Sequence, residues 1–229
     1  GKVLKGNKVS VNADGKNTEY TAKNIVIATG ARSRVLPNIP QDGTKIIGYR
    51  EALSLSSAPK KMVIVGSGAI GVEFAYFYKA MGSEVTVVEF MPNIVPVEDV
   101  DISKQLGRSL KKADIKIMTN SSVESVNTKG SGCKVLIKGK KGEETIECDV
   151  VLSAVGIEAN IENIGLEEVG IKTEKGRVLV DDFYQTNVPG YYAIGDILPT
   201  QALAHVASAE GIICVEKIAG HNPEPIDYG

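Results

Sequence analysis

The feature that most constrains the fold of this chain is a strand, a glycine turn, a helix and a second strand in immediate succession. Residues 62–65 form an apolar run, and the turn that follows is Gly66-Ser67-Gly68-Ala69-Ile70-Gly71. A helical pattern then extends to about residue 81, Gly82 would end it, and residues 85–88 form a second apolar run. This pattern predicts a βαβ unit with two parallel strands.

Each glycine of the turn has its own expected role. Gly66 would make the tight turn, Gly68 would let the backbone approach a pyrophosphate, and Gly71 would let the helix pack close to the strand. The N-terminus of the helix would then face the negative charge of the pyrophosphate. Because the chain has 24 glycines, the spacing alone is a weak signal. The strand before the motif and the helix after it are what indicate a dinucleotide site.

Two carboxylates accompany the motif. Glu89 ends the second strand, where a carboxylate accepts hydrogen bonds from a ribose 2′-hydroxyl and repels a 2′-phosphate. The next four residues contain no Arg, so we expect NAD(H) rather than NADP(H). Glu73 follows the last glycine by two residues, and we expect it in the first turn of the helix, where the helix dipole favours a surface carboxylate.

Apolar spacing predicts which helix faces are buried. In the first helix, one stripe is expected to pack on the sheet and consists of Ile70, Phe74, Phe77 and Met81. A second helix is expected to begin at Asp99 or Asp101 as N-cap and to bury Ile102, Leu106 and Leu110. It leads to a strand at residues 115–118. Apolar strands joined by helices predict a parallel sheet covered on both faces.

The pattern changes after Asn120. Residues 123–126, 135–137 and 145–148 alternate apolar with polar side chains, which predicts an antiparallel meander, and residues 149–154 form another buried strand. Short strands are expected before residue 28 and after residue 177, with a terminal helix over 204–219. Because Pro37 and Pro40 mark a connector, we divide the chain into domains 1–40, 41–157 and 158–229.

Composition excludes several classes of function. There are 26 basic and 28 acidic residues, so a net charge of −2 gives no general attraction to nucleic acid or to an anionic membrane. No apolar run of membrane-spanning length and no signal peptide is visible. Cys133, Cys148 and Cys214 show no paired spacing, so we expect neither a disulfide scaffold nor a metal site, and a reducing cytoplasm suits them. The chain starts at Gly1, and we expect it to be a piece of a longer protein.

Two further side chains have open interpretations. Asp196 follows Ile194-Gly195 and would accept hydrogen bonds from a sugar-like polyol, although Gly-Asp is also an ordinary turn. His205 is one of two histidines and is either a proton carrier or a residue at the start of a helix that is satisfied by its neighbours.

The order of these short motifs resembles the pyridine nucleotide–disulfide oxidoreductases over essentially the whole chain. The residues that carry the resemblance are 27–31, 66–73, 154–156, 186–196, 203–205 and 210–211. It implies an α/β fold in which a Rossmann-like NAD-binding domain, with a parallel sheet and an antiparallel meander, is inserted in a partial FAD-binding domain.

The resemblance also assigns residues to the two cofactors. To NAD it assigns Gly66, Ser67, Gly68, Ala69, Ile70, Gly71, Glu73, Glu89 and Gly156, with Glu73 near the nicotinamide. To FAD it assigns Ala28, Thr29, Gly30, Asp196, Leu203, Ala204 and His205, with Asp196 on the ribitol chain and the backbone of 203–205 near the flavin ring. Amides at the start of that helix would stabilise negative charge that develops on the ring.

Parts of the family pattern are missing from this sequence. It has no GxGxxG for the ADP half of FAD, no Cys-x4-Cys redox pair and no His-Glu base, so we expect no catalytic residue in this chain and no stoichiometric FAD. The implied parent is a homodimer that acts with lipoamide-bearing acyl-carrier domains of 2-oxoacid dehydrogenase or glycine cleavage complexes.

Two alternatives stay open at this point. The parent could be an NADH oxidase, a coenzyme A-disulfide reductase or a ferredoxin reductase of the same fold group, which the cysteines upstream of Gly1 would distinguish. A non-catalytic NAD-sensing module needs only the βαβ unit.

Overall fold

The computed structural model describes all 229 residues, with seventeen strands and five α-helices. The strands are β1 (Lys2–Leu4), β2 (Lys8–Ala13), β3 (Lys16–Thr21), β4 (Ile25–Ile27), β5 (Ala31–Ser33), β6 (Ile46–Ile47), β7 (Lys61–Val65), β8 (Glu84–Val88), β9 (Lys116–Met118), β10 (Ser122–Asn127), β11 (Cys133–Gly139), β12 (Gly142–Cys148), β13 (Val150–Ser153), β14 (Ile157–Ala159), β15 (Thr173–Glu174), β16 (Arg177–Val178) and β17 (Tyr191–Ala193). The helices are α1 (Tyr49–Ala52), α2 (Ala69–Ala80), α3 (Val100–Lys112), α4 (Leu166–Val169) and α5 (Ala204–Ile218), with a 3-10 turn at Gly195–Ile197. None of these helices has the length and apolarity needed to cross a lipid bilayer.

The chain forms two compact units. The inserted unit is the continuous segment Ser33–Ile157, and the split unit combines Gly1–Arg32 with Glu158–Gly229. Residues 33–40 belong to the inserted unit, because Ile39 is fully buried in a cluster with Val63 and Val65 of β7.

A five-stranded parallel sheet forms the centre of the inserted unit, in the order β6-β13-β7-β8-β9. β7 and β8 are the two strands of the predicted βαβ unit. β13 lies between β6 and β7, although it is the last of the five sheet strands in sequence order. The expected parallel sheet is therefore confirmed.

The helices cover one face of this sheet, and the buried face of α2 only partly coincides with the predicted stripe. Its buried residues are Gly71, Val72, Ala75 and Tyr78. Of the predicted stripe, Ile70 and Phe74 are partly buried against the sheet cluster, whereas Phe77 and Met81 are 51% and 59% exposed, so the prediction was wrong for these last two residues. Small side chains let the helix approach the strands closely, and the Tyr78 hydroxyl donates to the Ala52 carbonyl at 2.5 Å.

Helix α3 begins as predicted and also differs in its buried face. Asp99 is the N-cap, and its side chain accepts hydrogen bonds from the backbone N–H groups of Asp101 and Ile102. Leu106 and Leu110 pack against the core as predicted, but Ile102 is 59% exposed, contrary to expectation. The buried residues of α3 are Ser103 and Leu110. The Ser103 hydroxyl donates to the Ile94 carbonyl at 2.8 Å, so this buried polar group has a hydrogen-bond partner.

The antiparallel meander that the alternation predicted is formed by β10, β11 and β12, and it covers the opposite face of the sheet. Val135 and Ile137 of β11 are fully buried against Val63, Val65 and Val151 of the sheet. The sheet thus has helices on one side and strands on the other.

The split unit contains an antiparallel sheet of β1, β2 and β3, a hairpin of β15 and β16, and a parallel pair formed by β4 and β17. Helices α4 and α5 contribute buried residues to its core, among them Leu166 and Cys214. Ile27 is in register with Ala193, so β4 and β17 end at the same edge.

Candidate functional site

Five of the nine predicted NAD-binding residues meet at the carboxyl ends of three adjacent strands of the inserted unit. Val65 of β7 is in register with both Val88 of β8 and Ser153 of β13. The residues that follow these strands therefore leave the same edge of the sheet. They border a cavity of about 660 Å³, and the predicted residues that line it are Gly66, Ser67, Gly68, Glu89 and Gly156.

The three glycines of the turn differ in what surrounds them. Gly66 has φ +97°, and a Cβ there would lie 2.4 Å from the Ala154 carbonyl oxygen. A Cβ on Gly71 would lie 2.1 Å from the Gly66 carbonyl oxygen, so the helix touches the turn through a bare backbone. Gly68 has no atom within 4 Å of its Cβ position. Two glycines are needed for packing, and the third faces open space at the cavity.

Helix α2 presents an uncapped N-terminus to this edge. Its N-cap is Gly68, with no side-chain cap, and its first turn contains no acidic residue. The first backbone N–H groups of a helix lack intrahelical partners and carry partial positive charge. Ala69, Ile70 and Gly71 are the first three residues of this helix. Their N–H groups are therefore available to donate hydrogen bonds to an anion.

Glu73 lies elsewhere. It is the fifth residue of α2, past the first turn, so the expectation of a first-turn position was wrong. The helix begins only after Gly68, and Gly71 is its third residue. Glu73 and Ile70 border a second cavity of about 360 Å³, together with Tyr49, Leu53, Phe74 and Phe77.

The Glu89 carboxylate is buried and held by three protein donors. Its Oε2 accepts from the Ser67 backbone N–H at 2.7 Å and from the Ser67 hydroxyl at 2.6 Å. Its Oε1 accepts from the Met91 backbone N–H at 2.8 Å. The carboxylate is 7% exposed and borders the cavity, so its orientation is fixed by the turn it faces.

Several cavity residues were not singled out from the sequence. They are Arg34, Leu36, Phe90, Met91, Pro96, Val97, Ser121, Ser122 and Val123. Phe90 and Val97 are 74% and 90% exposed, respectively. The loop after β9 reaches the site because the Ser121 N–H donates to the Glu89 carbonyl at 2.9 Å. Among these unpredicted cavity residues, only Phe90 had a signal in the sequence, which is its position directly after Glu89.

In the split unit, the predicted FAD residues gather at the ends of β4 and β17. Ala28, Thr29 and Gly30 follow β4, and Asp196 follows β17 by three residues. The Thr29 hydroxyl donates to the Asn160 carbonyl at 2.6 Å, and the Asn160 amide donates back to the Thr29 carbonyl at 3.0 Å. Ala28 and Thr29 also line a cavity of about 320 Å³.

A buried carboxylate supports the turn that carries Asp196. The Gly195 N–H donates to Glu210 Oε2 at 2.6 Å, and the hydroxyls of Thr200 and Tyr228 donate to Oε1 at 2.7 and 2.9 Å. Glu210 is fully buried in α5. Partial desolvation of the Tyr228 hydroxyl, together with its hydrogen bonds to Tyr184 and Glu210, raises its pKa.

The start of α5 is open as well. Leu203 is its N-cap, with no side-chain cap, and Ala204 and His205 are exposed at its first residues. The N-terminal amides of α5 therefore resemble those of α2 in having no partner from a capping side chain.

This chain belongs to the pyridine nucleotide-disulphide oxidoreductase family, whose pattern its sequence matches over residues 1–211. Proteins of this family use FAD and NAD(H).

Named relatives narrow the comparison. Dihydrolipoyl dehydrogenase of Rhizobium etli is 48% identical over 220 residues, which are 95% of this chain and 46% of that protein. The crystal structure of LpdA from Mycobacterium tuberculosis has a TM-score of 0.85 at 31% identity and covers 97% of this chain and 51% of that one. An NAD-dependent persulfide reductase from A. fulgidus has a TM-score of 0.85 at 25% identity, covering 100% of this chain and 45% of that one. This chain thus spans about half the length of these relatives.

Proposed function

We propose that this chain is the NAD(H)-binding portion of a flavoprotein oxidoreductase, and that its parent is a dihydrolipoyl dehydrogenase, which oxidises dihydrolipoamide and passes the electrons through FAD to NAD⁺. The observation that carries the proposal is the buried Glu89 carboxylate at the sheet edge where the glycine turn begins. The resemblance to the Rhizobium etli enzyme supports the identity of the parent.

The residues of the inserted unit fit a dinucleotide. Its pyrophosphate would accept from the free N–H groups at the start of α2, and the open space over Gly68 admits its oxygens. A carboxylate has about four lone-pair sites, and Ser67 and Met91 together occupy three of those on Glu89. The remaining site on Oε1 would accept the ribose 2′-hydroxyl. A 2′-phosphate would instead meet a buried negative charge.

The residues of the split unit fit part of a flavin site. Asp196 would accept hydrogen bonds from the ribitol hydroxyls, and Glu210 would hold the Gly195 turn in position for it. The start of α5, at Leu203, Ala204 and His205, would place unpartnered amides beside the flavin ring. When bound, FAD supplies the electron-accepting group, and Glu73 would lie on the nicotinamide side.

The rest of the proposal concerns the whole protein. Its partners would be lipoamide-bearing acyl-carrier domains, it would act as a homodimer, and it would reside in the cytoplasm. We propose neither nucleic acid nor a membrane as a binding partner. Since no residue of this chain is proposed as catalytic, the 229-residue chain by itself should form no NADH from dihydrolipoamide.

Titration of the purified chain with NADH and with NADPH tests the nucleotide site. We expect NADH to bind at least tenfold more tightly, and Glu89→Gln to reduce that ratio to near one, because it removes the charge that repels a 2′-phosphate. Glu84→Gln is the matched control, since Glu84 is exposed at the start of the same strand. A preference for NADPH, or no binding of either nucleotide, would overturn the assignment.

The coding sequence upstream of Gly1 tests the parent. A Cys-x4-Cys pair supports a lipoamide enzyme, a single cysteine supports an oxidase or a coenzyme A-disulfide reductase, and no cysteine supports an electron-carrier reductase. If the intact natural protein began near Gly1, an NAD-sensing module would replace this proposal. Dihydrolipoamide-dependent NADH formation by the 229-residue chain would also contradict it.

A further inference from the structure

Two cysteines that are fifteen residues apart in sequence face each other across the meander. Cys133 begins β11 and Cys148 ends β12, and the two are direct partners in the antiparallel register. The pairing is set by a two-residue hairpin, in which Gly139 opposes Gly142 and the ladder continues without a shift to the cysteines.

Both side chains lie on the same, inward face of the meander. They are 2% and 6% exposed, in the cluster that packs on the parallel sheet. The two thiols also interact with each other, and each affects the pKa of the other. The Cys133 thiol has only weak acceptors besides, the carbonyls of Lys45 at 3.7 Å and Asp149 at 3.8 Å.

A cavity opens beside the pair. It has a volume of about 460 Å³, and it is bordered by both cysteines, by residues 129–132 of the preceding loop, and by Lys61, Lys134, Glu147 and Asp149. The open space of this cavity therefore reaches the strand ends that carry the two cysteines. Cys214 is also fully buried, in the split unit, and has no cysteine opposite it.

The geometry points to Cys133 and Cys148 as a redox-active dithiol that closes to a cross-strand disulfide under oxidising conditions. Directly opposed residues of an antiparallel pair have Cβ atoms about 4.5–5.5 Å apart, and a disulfide needs about 3.5–4.5 Å. A movement of about 1 Å between the two strand ends therefore suffices. Disulfides that are closed under such strain are more easily reduced than relaxed ones.

The oxidant in this step is a small-molecule disulfide. One cysteine sulfur attacks it, which breaks its S–S bond, forms a mixed disulfide and releases one small thiol. The second cysteine sulfur then attacks the mixed disulfide, forms the Cys133–Cys148 bond and releases the second small thiol. The two protein sulfurs are oxidised, the reagent is reduced, and the two thiol protons leave with the released thiols or the solvent.

Burial slows this exchange without preventing it. Burial raises the pKa of the Cys148 thiol to about 12 and raises that of Cys133 as well, so the attacking thiolate is scarce at neutral pH. The pair should therefore stay reduced under brief exposure and close on prolonged exposure.

The test uses the folded 229-residue chain and 4,4′-dithiodipyridine as the oxidant. We expect release of two pyridinethione molecules per chain from the pair, a protein mass lower by two hydrogens, and a count of free thiols after denaturation that falls from three to one. A peptide map should join the β11 and β12 segments, and millimolar dithiothreitol should restore the free thiols.

Cys214→Ala is the matched control and should still lose two hydrogens. Cys133→Ala and Cys148→Ala should each show no loss of two hydrogens. Instead, each should keep one mixed disulfide with the reagent at the remaining cysteine of the pair. The peptide map of the unsubstituted chain stands independently of whether these variants fold. The inference is overturned if three thiols persist under conditions that oxidise the urea-unfolded chain, or if the cross-link includes Cys214.

Discussion

Ser67 donates to one oxygen of Glu89 twice, through its backbone N–H at 2.7 Å and through its hydroxyl at 2.6 Å. Ser67 is fully buried, so water does not compete for either bond. Ser67, the second residue of the glycine turn, therefore holds the Glu89 carboxylate in place. This contact fixes the glycine turn, which would face the pyrophosphate, relative to Glu89, which would face the ribose.

Replacing Ser67 with Ala should loosen this coupling. The hydroxyl bond is lost while the two N–H bonds to Glu89 remain, and a single hydrogen bond of this kind contributes about 1 kcal/mol, or roughly fivefold in an equilibrium constant. We expect NADH affinity to fall about fivefold in a calorimetric titration. Ser109→Ala on α3, an exposed position, should leave the affinity unchanged. An unchanged affinity in Ser67→Ala would show that Glu89 does not contact the nucleotide.

Two alanine substitutions should separate folding from binding. Gly71→Ala forces a Cβ against the Gly66 carbonyl and should cost about 3 kcal/mol in unfolding free energy. Gly68→Ala meets open space at φ −65°, so it should cost less than about 1 kcal/mol while it lowers NADH affinity about tenfold or more.

Thermal unfolding and NADH titration of both glycine variants provide the check. If Gly68→Ala bound NADH as tightly as the original chain, the open space over Gly68 would not be where the pyrophosphate lies.

The turn that precedes β6 should show a pH-dependent stability. Burial alone would raise the pKa of Asp42, but backbone N–H groups of Ile46, Thr44 and Lys45 donate to its carboxylate and lower the pKa from 3.8 to about 2. A lowered folded-state pKa means that the contribution is present above about pH 4 and is lost as pH falls through 2.

Asp42→Asn should therefore destabilise the chain by about 1 kcal/mol at pH 5 to 7, a value reduced by the exposure of this carboxylate. The difference from the original chain should shrink as the pH approaches 2. Chemical unfolding across this pH range measures it, with Asp182→Asn at an exposed position as the reference. A difference that stays constant with pH would contradict the expectation.

The buried network at Glu210 should tolerate Gln better than Ala. In Glu210→Gln one amide oxygen still accepts from Gly195, and the hydroxyls of Thr200 and Tyr228 rotate to accept from the new amide, so the cost should be about 1 kcal/mol. Glu210→Ala removes the acceptor that the Gly195 N–H and the Thr200 and Tyr228 hydroxyls share, leaves a cavity at a fully buried position, and should cost about 3 kcal/mol or more. Urea unfolding of the two variants gives the comparison, and equal costs would mean that the network is not formed.

The sequence was sufficient for the architecture of the inserted unit. The apolar runs at 62–65 and 85–88 and the alternation after Asn120 predicted the parallel sheet and the meander, because strand periodicity depends on local burial alone. The helix faces were not predictable in the same way. The stripe of large apolar residues on α2 was only half right: Ile70 and Phe74 pack against the sheet cluster, but the small residues Gly71 and Ala75 are the more deeply buried ones, and Phe77 and Met81 are exposed.

Long-range placement was beyond the sequence for a different reason. The approach of Ser121 to Glu89 depends on the path of the loop after β9, which no local pattern indicates. The opposition of Cys133 and Cys148 is different, because it follows from strand register. The Lys140-Lys141 hairpin could have indicated the cysteine pairing, since counting back from a two-residue turn gives the register.

The position of β13 has a consequence for how the chain assembles during synthesis. β6 and β7 never pair with each other, because β13 lies between them and comes from residues made much later. The same holds for β4, whose partner β17 follows the whole inserted unit. Until Ser153 has left the ribosome, β6 and β7 expose unpaired edges, and β4 does so until Ala193 has followed; contacts between residues distant in sequence also form slowly. Chaperone protection of the nascent chain is expected to matter most in that interval.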